Sequence, residues 1–355
     1  MSAAALLEVQ HATVEYPTGR RLPPLRAIDD VSLRIGTAET LGLVGESGSG
    51  KSTLGRAILG LVPLAGGSIH FDGRDMTHAS RATRRELSSS LQVVFQDPYG
   101  SLNPARTIGQ TLAETLRAAG GARSRAQVVD RMAAMLEEVG LPGDAARRYP
   151  AHFSGGQRQR IAIARALMAS PRLVVCDEPV SALDISVQAQ VLNVLTWLQR
   201  EHGLGYLFIS HDIAVVRHVA NRIAVLYRGR IMEHGNAPAV LERPAHPYTA
   251  TLLAAAPVPD PRRQRRRHSM GHIGPSAGVP GSEEHTTRPA LGGCPFAPRC
   301  SHAIEICGSH MPALDRTDDG VLVACHRWRE LRADPPVPDT PVRALAVNTH
   351  DTEDQ

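Results

Sequence analysis

With 355 residues, 42% of them apolar, the chain has enough hydrophobic material to bury a core and to hold one large or two ordinary domains, which excludes a disordered class. Its formal net charge of +4, spread over that length, makes no strong uniform field and gives little support to a generic nucleic-acid binder. No run of about 18 apolar residues is present. The opening MSAAALLEVQ lacks a basic segment ahead of a long apolar stretch, so neither a membrane span nor a signal peptide is expected and the chain is expected to stay in the cytoplasm.

In chain order, LLEVQHATVEY and AIDDVSLRI alternate apolar and polar residues as antiparallel strands do. ETLGLVG reads as a short buried strand running into a glycine-rich loop, and KSTLGRAILGLV has helical spacing. After the strand LQVVFQ, residues 97–170 are rich in helix formers, with QVVDRMAAMLEEVGL apolar at three and four spacing, and form a helical insertion. The strand LVVCDEP, a helix in VQAQVLNVLTWLQREHG, the strand YLFIS and a helix around IAVVRHVA follow. That alternation predicts an α/β fold with a mostly parallel sheet covered by helices. Residues 257–292 are rich in Pro, Gly, Ser and Arg and read as a linker, with a basic run from Arg262 to Arg267 that is solvated or touches anionic lipid headgroups. A cysteine-bearing element at 293–328 and a disordered tail at 329–355 complete the expected organisation, and no internal repeat is visible.

The segment Gly45-Glu46-Ser47-Gly48-Ser49-Gly50-Lys51-Ser52, followed by Thr53, fits the phosphate-loop pattern in its required context of strand before and helix after. Glycines let backbone N–H groups curl around phosphates, the helix N-terminus adds its dipole, Lys51 reaches the β- and γ-phosphates, and Ser52 ligates magnesium. Lys51 is the only lysine among 39 basic side chains, as expected of a position that needs a compact ammonium rather than a guanidinium fork. Asp177 and Glu178 end a buried strand, where Asp177 can hold magnesium through water and Glu178 can polarise the attacking water. Ser154-Gly155-Gly156-Gln157 opens another helix and forms a second phosphate-facing element. Two such loops do not easily serve one γ-phosphate in one chain, so the second is expected to act across a dimer interface.

These residues resemble the ATPase subunits of ABC transporters over roughly Leu6 to Pro257: the phosphate loop, Gln96 after a strand, the signature Ser154 to Gln157, the LVVCDEP strand, Ser181-Ala182-Leu183-Asp184, and His211. The resemblance implies a RecA-like P-loop NTPase core with an antiparallel β-subdomain and a helical subdomain, followed by a C-terminal cysteine-containing extension. It implies ATP and Mg²⁺ as cofactors, and two cassettes that sandwich two ATP molecules. It also implies Gln96 as sensor of magnesium and of the transmembrane partner, Glu178 as general base, His211 on the γ-phosphate, and Tyr16 stacked on adenine. Phe153 stands where many members carry Leu and keeps the bulk.

VFQDPYGSLNP, CDEPVSALDISVQAQ, HPYTATLLAAAP and CPFAPRC further resemble the ATPases of oligopeptide and dipeptide importers, with nickel and glutathione importers sharing much of this text. The implied partners are two permease subunits, a second ATPase identical or sister to this one, and an extracytoplasmic substrate-binding protein, at the cytoplasmic face of the inner membrane and without nucleic acid. A soluble nucleic-acid or ribosome-associated ABC protein is a rival, but those relatives show paired cassettes or a long coiled-coil insertion, absent here. An exporter subunit is another, against which the C-terminal cysteines argue. Cys294, Cys300, Cys307 and Cys325, separated by five, six and seventeen residues, suit iron–sulfur or zinc ligation. Structural zinc sites favour close pairs about two to four residues apart, which are lacking here. With the family's C-terminal cysteines, the spacing favours a four-iron iron–sulfur cluster (4Fe–4S); zinc and four free thiols stay open.

Overall fold

The computed structural model describes residues 5–19, 23–97, 99–120, 124–256 and 292–333. In chain order the strands are β1 (Leu7–Tyr16), β2 (Leu25–Ile35), β3 (Thr40–Val44), β4 (Gly66–Phe71), β5 (Arg74–Asp75), β6 (Leu91–Val94), β7 (Leu173–Asp177), β8 (Gly205–Ser210), β9 (Arg222–Tyr227), β10 (Arg230–Asn236), β11 (Asp315–Arg316) and β12 (Leu322–Val323). The helices are α1 (Lys51–Ile58), α2 (Arg81–Leu87), α3 (Ile108–Ala118), α4 (Arg125–Glu138), α5 (Gly155–Leu167), α6 (Ile185–His202), α7 (Ile213–Val219), α8 (Ala237–Glu242), α9 (Pro247–Ala255), α10 (Glu305–Ser309) and α11 (Trp328–Ala333).

Alternation along β1, with Leu7, Val9, Ala12 and Val14 buried, makes it half-buried, and it pairs antiparallel with β2 and β4 in a sheet ordered β2-β1-β4-β5. A second sheet is ordered β11-β12-β10-β9-β3-β8-β7-β6. Its strands β9, β3, β8, β7 and β6 run parallel, and their near-continuous apolar runs follow from burial on both faces. Period-two alternation sends Leu173 and Val175 into the core shared with the antiparallel sheet and α1, and Val174 and Cys176 into the core under the helices.

Three of those helices start on the same local device. Thr107, Ser124 and Ser154 each accept a hydrogen bond from the backbone N–H three residues on, and Gln110, Gln127 and Gln157 reach back to the capping residue's own N–H. These capping boxes satisfy donors that a helix start otherwise leaves open. Ile108, Leu112, Leu116, Met135, Leu136 and Ile161 then pack α3, α4 and α5 together.

The C-terminal stretch is stitched to the main sheet by β12, which pairs antiparallel with β10, Glu233 opposite Val323. Trp328 is buried against Ala245 and Val323 and pins α11, which runs into the stretch expected as tail; its Arg332 is ion-paired with Asp319. Residues 257–291 of the expected linker, with Arg262–Arg267, and residues 334–355 of the expected tail lie outside the described residues. No helix among the described residues is long and apolar enough to cross a membrane.

Candidate functional site

Four parallel strands end side by side: Val44 opposite Ser210, Ile209 opposite Asp177, and Cys176 opposite Val94. The loops that follow them, carrying residues 45–50, His211, Glu178 and Gln96, therefore leave from one edge of the sheet, where α/β folds bind their ligands. The phosphate loop needs its glycines for space as well as for dihedral angle. Gly50 has φ 105°, and a Cβ there would lie 2.5 Å from the Ala27 carbonyl oxygen; one at Gly45 would run into the Leu226 carbonyl. Lys51 is 4% exposed and donates to the carbonyls of Gly45 at 2.7 Å and Glu46 at 2.8 Å. Burial pushes its pKa down, against the opposing pull of Glu178, Asp177 and Glu46. Among the described residues the buried Ser49 hydroxyl has no hydrogen-bond partner. Ser47, Gly48 and Thr53 complete the loop and the first turn of α1. The cradle fits a polyphosphate.

Ser52 Oγ donates to Asp177 Oδ1 at 2.8 Å, joining the loop to the end of β7. Burial raises the Asp177 pKa, and the neighbouring Glu178 adds to it. A hydroxyl and a carboxylate oxygen held together in excess negative charge fit the oxygen-rich set that Mg²⁺ takes. Glu178 sits at φ 50°, a left-handed conformation costly for a residue with a side chain. Its N–H donates to Ile209 O at 3.0 Å, and its carbonyl accepts from the Ser181 hydroxyl at 3.1 Å, which holds that geometry. Glu178 Oε2 lies 3.0 Å from His211 Nδ1, from the end of the adjoining strand. The pair can orient a water and accept its proton.

The other expected residues are placed differently. β6 ends at Val94, so Phe95 and Gln96 stand outside the strand; the Phe95 carbonyl accepts from Gln159 Nε2 at 3.4 Å, and Gln96 is exposed. Tyr16 closes β1, partly buried against the antiparallel sheet's core. Ser154, Gly155, Gly156 and Gln157 form the N-terminal turn of α5, with Gly156 pressed against Val187. No hydrogen bond among the described residues joins that turn to residues 45–53.

Sequence reasoning missed two residues that hold the phosphate loop from outside. Tyr248 Oη accepts from the Glu46 N–H at 2.9 Å, and Arg299 donates to both Glu46 carboxylate oxygens at 2.8 and 2.9 Å. Their segments stood out only as family text, because contacts across 202 and 253 residues leave no local pattern.

Cys294, Cys300, Cys307 and Cys325 line one cavity, together with His246 and Phe296. Burial pushes the thiols of Cys294 and Cys300 up and that of Cys325 to about 11. All four are free thiols, while Cys176 is buried in the core. Among the described residues no group of three or more His, Cys, Asp or Glu is placed to hold a metal ion, so the expected ligand set is gathered but no metal site is formed.

The family model described as ABC transporter matches residues 28–181, and that of the oligopeptide/dipeptide transporter C-terminal region matches residues 232–307. The oligopeptide transport ATP-binding protein OppF of Salmonella typhimurium is 47% identical over 298 residues, covering 82% of this chain and 86% of that protein. The putative oligopeptide transport ATP-binding protein YkfD of Bacillus subtilis is 42% identical over 335 residues, covering 93% and 97%. Among solved structures, the dimeric post-hydrolysis state of the ATP-binding cassette MJ0796, bound to ADP and Pi, aligns with a TM-score of 0.59 at 28% identity, over 65% of this chain and 98% of that one. With a phosphate loop and an acidic strand end on one sheet edge, and relatives of this identity along nearly its whole length, the chain belongs to the ABC transporter ATPases, in the branch that carries the oligopeptide/dipeptide transporter C-terminal region.

Proposed function

We propose that this ATPase is the motor subunit of a peptide importer, held at the cytoplasmic face of the membrane by two permease subunits and paired with a second cassette, identical or sister. The observation that carries the reading is the Glu178–His211 pair beside the phosphate loop, with the signature residues Ser154–Gln157 at the N-terminal turn of α5. The second cassette's signature then completes each site. Lys51 exchanges its two loop carbonyls for the β- and γ-phosphates, Tyr16 stacks on adenine, and Glu178 accepts the proton of the attacking water while His211 contacts the γ-phosphate. Ser52, Gln96 and Asp177 would hold Mg²⁺, which supplies charge neutralisation on the phosphates. Closure on ATP and reopening after hydrolysis shift the permeases through contacts near Gln96.

Reconstitution with permeases and binding protein in vesicles tests the cargo. Di- and oligopeptides are expected to stimulate ATP turnover and to accumulate. Stimulation by nickel or glutathione alone would replace the peptide assignment, and stimulation by nucleic acid without permeases would overturn the importer reading.

For the cysteine element we propose, from the resemblance and from the four thiols lining one cavity, a 4Fe–4S cluster with a structural role. Anaerobically purified protein is expected to be brown, to absorb near ~400 nm and to carry about four irons per chain. Colourless protein with stoichiometric zinc, or with no metal, overturns it.

A further inference from the structure

The second residue of the phosphate loop, Glu46, is held at every polar group it has. Its carboxylate takes two N–H donors from Arg299, its N–H donates to Tyr248 Oη, and its carbonyl accepts from Lys51 Nζ. The Lys51 bond is the one that phosphate must compete for. The other two come from the C-terminal side: Tyr248 from α9 and Arg299 from the turn between Cys294 and Cys300. Those two donors and acceptors are themselves fixed by rings. Tyr227 and Tyr248 lie 4.5 Å apart between centroids, Tyr248 and Phe296 5.3 Å, and the Arg299 guanidinium stands 5.8 Å from the Tyr227 ring and 5.7 Å from that of Phe296. Phe296 is buried, in the same turn as the cysteines.

We propose that Arg299 and Tyr248 are positioning residues for nucleotide binding, through which docking of the cysteine element and occupancy of the phosphate loop are coupled. Exposed single ion pairs contribute little, and both partners here are partly exposed, with side chains 48% and 40% accessible. Three features set this one apart. It is bidentate, it is backed by aromatic rings, and it neutralises a carboxylate at the mouth of a site that must accept a polyanion. Removing Arg299 leaves that carboxylate to repel the incoming phosphates; removing the Tyr248 hydroxyl frees the Glu46 amide. When Lys51 turns from the Glu46 carbonyl to phosphate, the two C-terminal contacts keep the loop curled. Coupling of this kind is reciprocal, so nucleotide must tighten docking of the element by the factor by which docking tightens nucleotide.

The test is nucleotide affinity of the full chain, read with a fluorescent ATP analogue. Arg299→Ala is expected to weaken binding about fivefold, in the range of a partly exposed charged contact, and Tyr248→Phe about threefold, in that of a neutral hydrogen bond. The double variant Arg299→Ala, Glu46→Gln is expected to recover most of the loss, because the unpaired carboxylate has gone; a purely structural role for Arg299 predicts no recovery. Affinity of Arg299→Ala within about twofold of wild type, or a double variant no better than the single, overturns the proposal. Should Arg299→Ala loosen the element itself, hydrogen exchange over residues 294–307 in the unaltered protein decides. MgADP is expected to slow that exchange by a factor comparable to the affinity loss, and exchange unchanged by nucleotide overturns the coupling.

Discussion

The carboxyl edge of the parallel strands and the cysteine-bearing flank of the same sheet solve one problem, placing polar groups against a ligand, by opposite means. At the edge, the backbone does the placing. Strand ends in register, glycines at positive φ and a left-handed Glu178 fix where each loop goes, and within the phosphate loop partners sit close in sequence, as Lys51 does to Gly45. At the flank, side chains do it: short turns and two-residue strands are held by Trp328, Phe296 and Arg299 against elements far away in the chain. A backbone-built site carries its signature in a few consecutive residues, whereas a side-chain-built one is written across the whole length.

The difference can be broken first at the edge. Glu178→Gln is expected to leave ATP binding intact and to lower single-turnover hydrolysis by about 10² to 10⁴, the usual loss for a missing general base. Turnover within threefold of wild type, in protein assembled with its partners, would remove Glu178 from that role. Lys51→Arg is expected to weaken nucleotide binding by about one to two orders of magnitude although the charge is kept, since a wide fork cannot occupy a position 4% exposed between two carbonyls. Titration with nucleotide checks it, and near-normal affinity would make the lone lysine an accident.

The smallest effect sharpens the flank. His234, on β10 beside the C-terminal strands, is buried with its Nε2 2.7 Å from Arg222 Nη2, and burial, then Arg222, depress its pKa to about 4. The folded state therefore binds fewer protons than the unfolded one between the unfolded value near ~6.5 and about 4. Its contribution to stability is complete above that window and is lost as pH falls through it, at about 1.4 kcal/mol per pH unit. The adjacent Glu233, raised by burial to about 7, acts in the opposite sense: its contribution is present at low pH and lost as pH rises through 7. His234→Gln is expected to reduce the acid-limb slope of unfolding free energy by about one proton, measured by denaturant melts from pH 4 to 7. An unchanged slope would show that the histidine is protonated in the fold.

How far the sequence could be read follows the same division. The parallel strands, the phosphate loop and the Asp177–Glu178 strand end were legible because apolar runs and glycine spacing are themselves the cause of the backbone there. The strand LQVVFQ is legible only up to Val94, since the Phe95 carbonyl bonds to Gln159 on α5 rather than to a neighbouring strand. The order of strands, with β9 rather than β10 beside β3, and the return of residues 315–323 to extend the sheet depend on contacts that no window of sequence contains. The roles of Tyr248 and Arg299 were hidden for that reason, though both stood in segments already marked by their text. Residues 329–333, the start of the expected tail, continue a helix that opens on the buried Trp328, a contact that the Pro-rich composition after it does not announce.

The single lysine also makes the molecule its own chemical reporter. A lysine-specific protease has one bond to cut in 355 residues, between Lys51 and Ser52, and that bond opens a helix beneath the phosphate loop. The folded chain offers it almost no access, so each cleavage counts a molecule whose phosphate loop has come open. Digestion rate against nucleotide concentration thus becomes a label-free binding isotherm. The same amine, apart from the chain terminus, is the only one for amine-selective reagents, so a single modified peptide would report how often the loop opens.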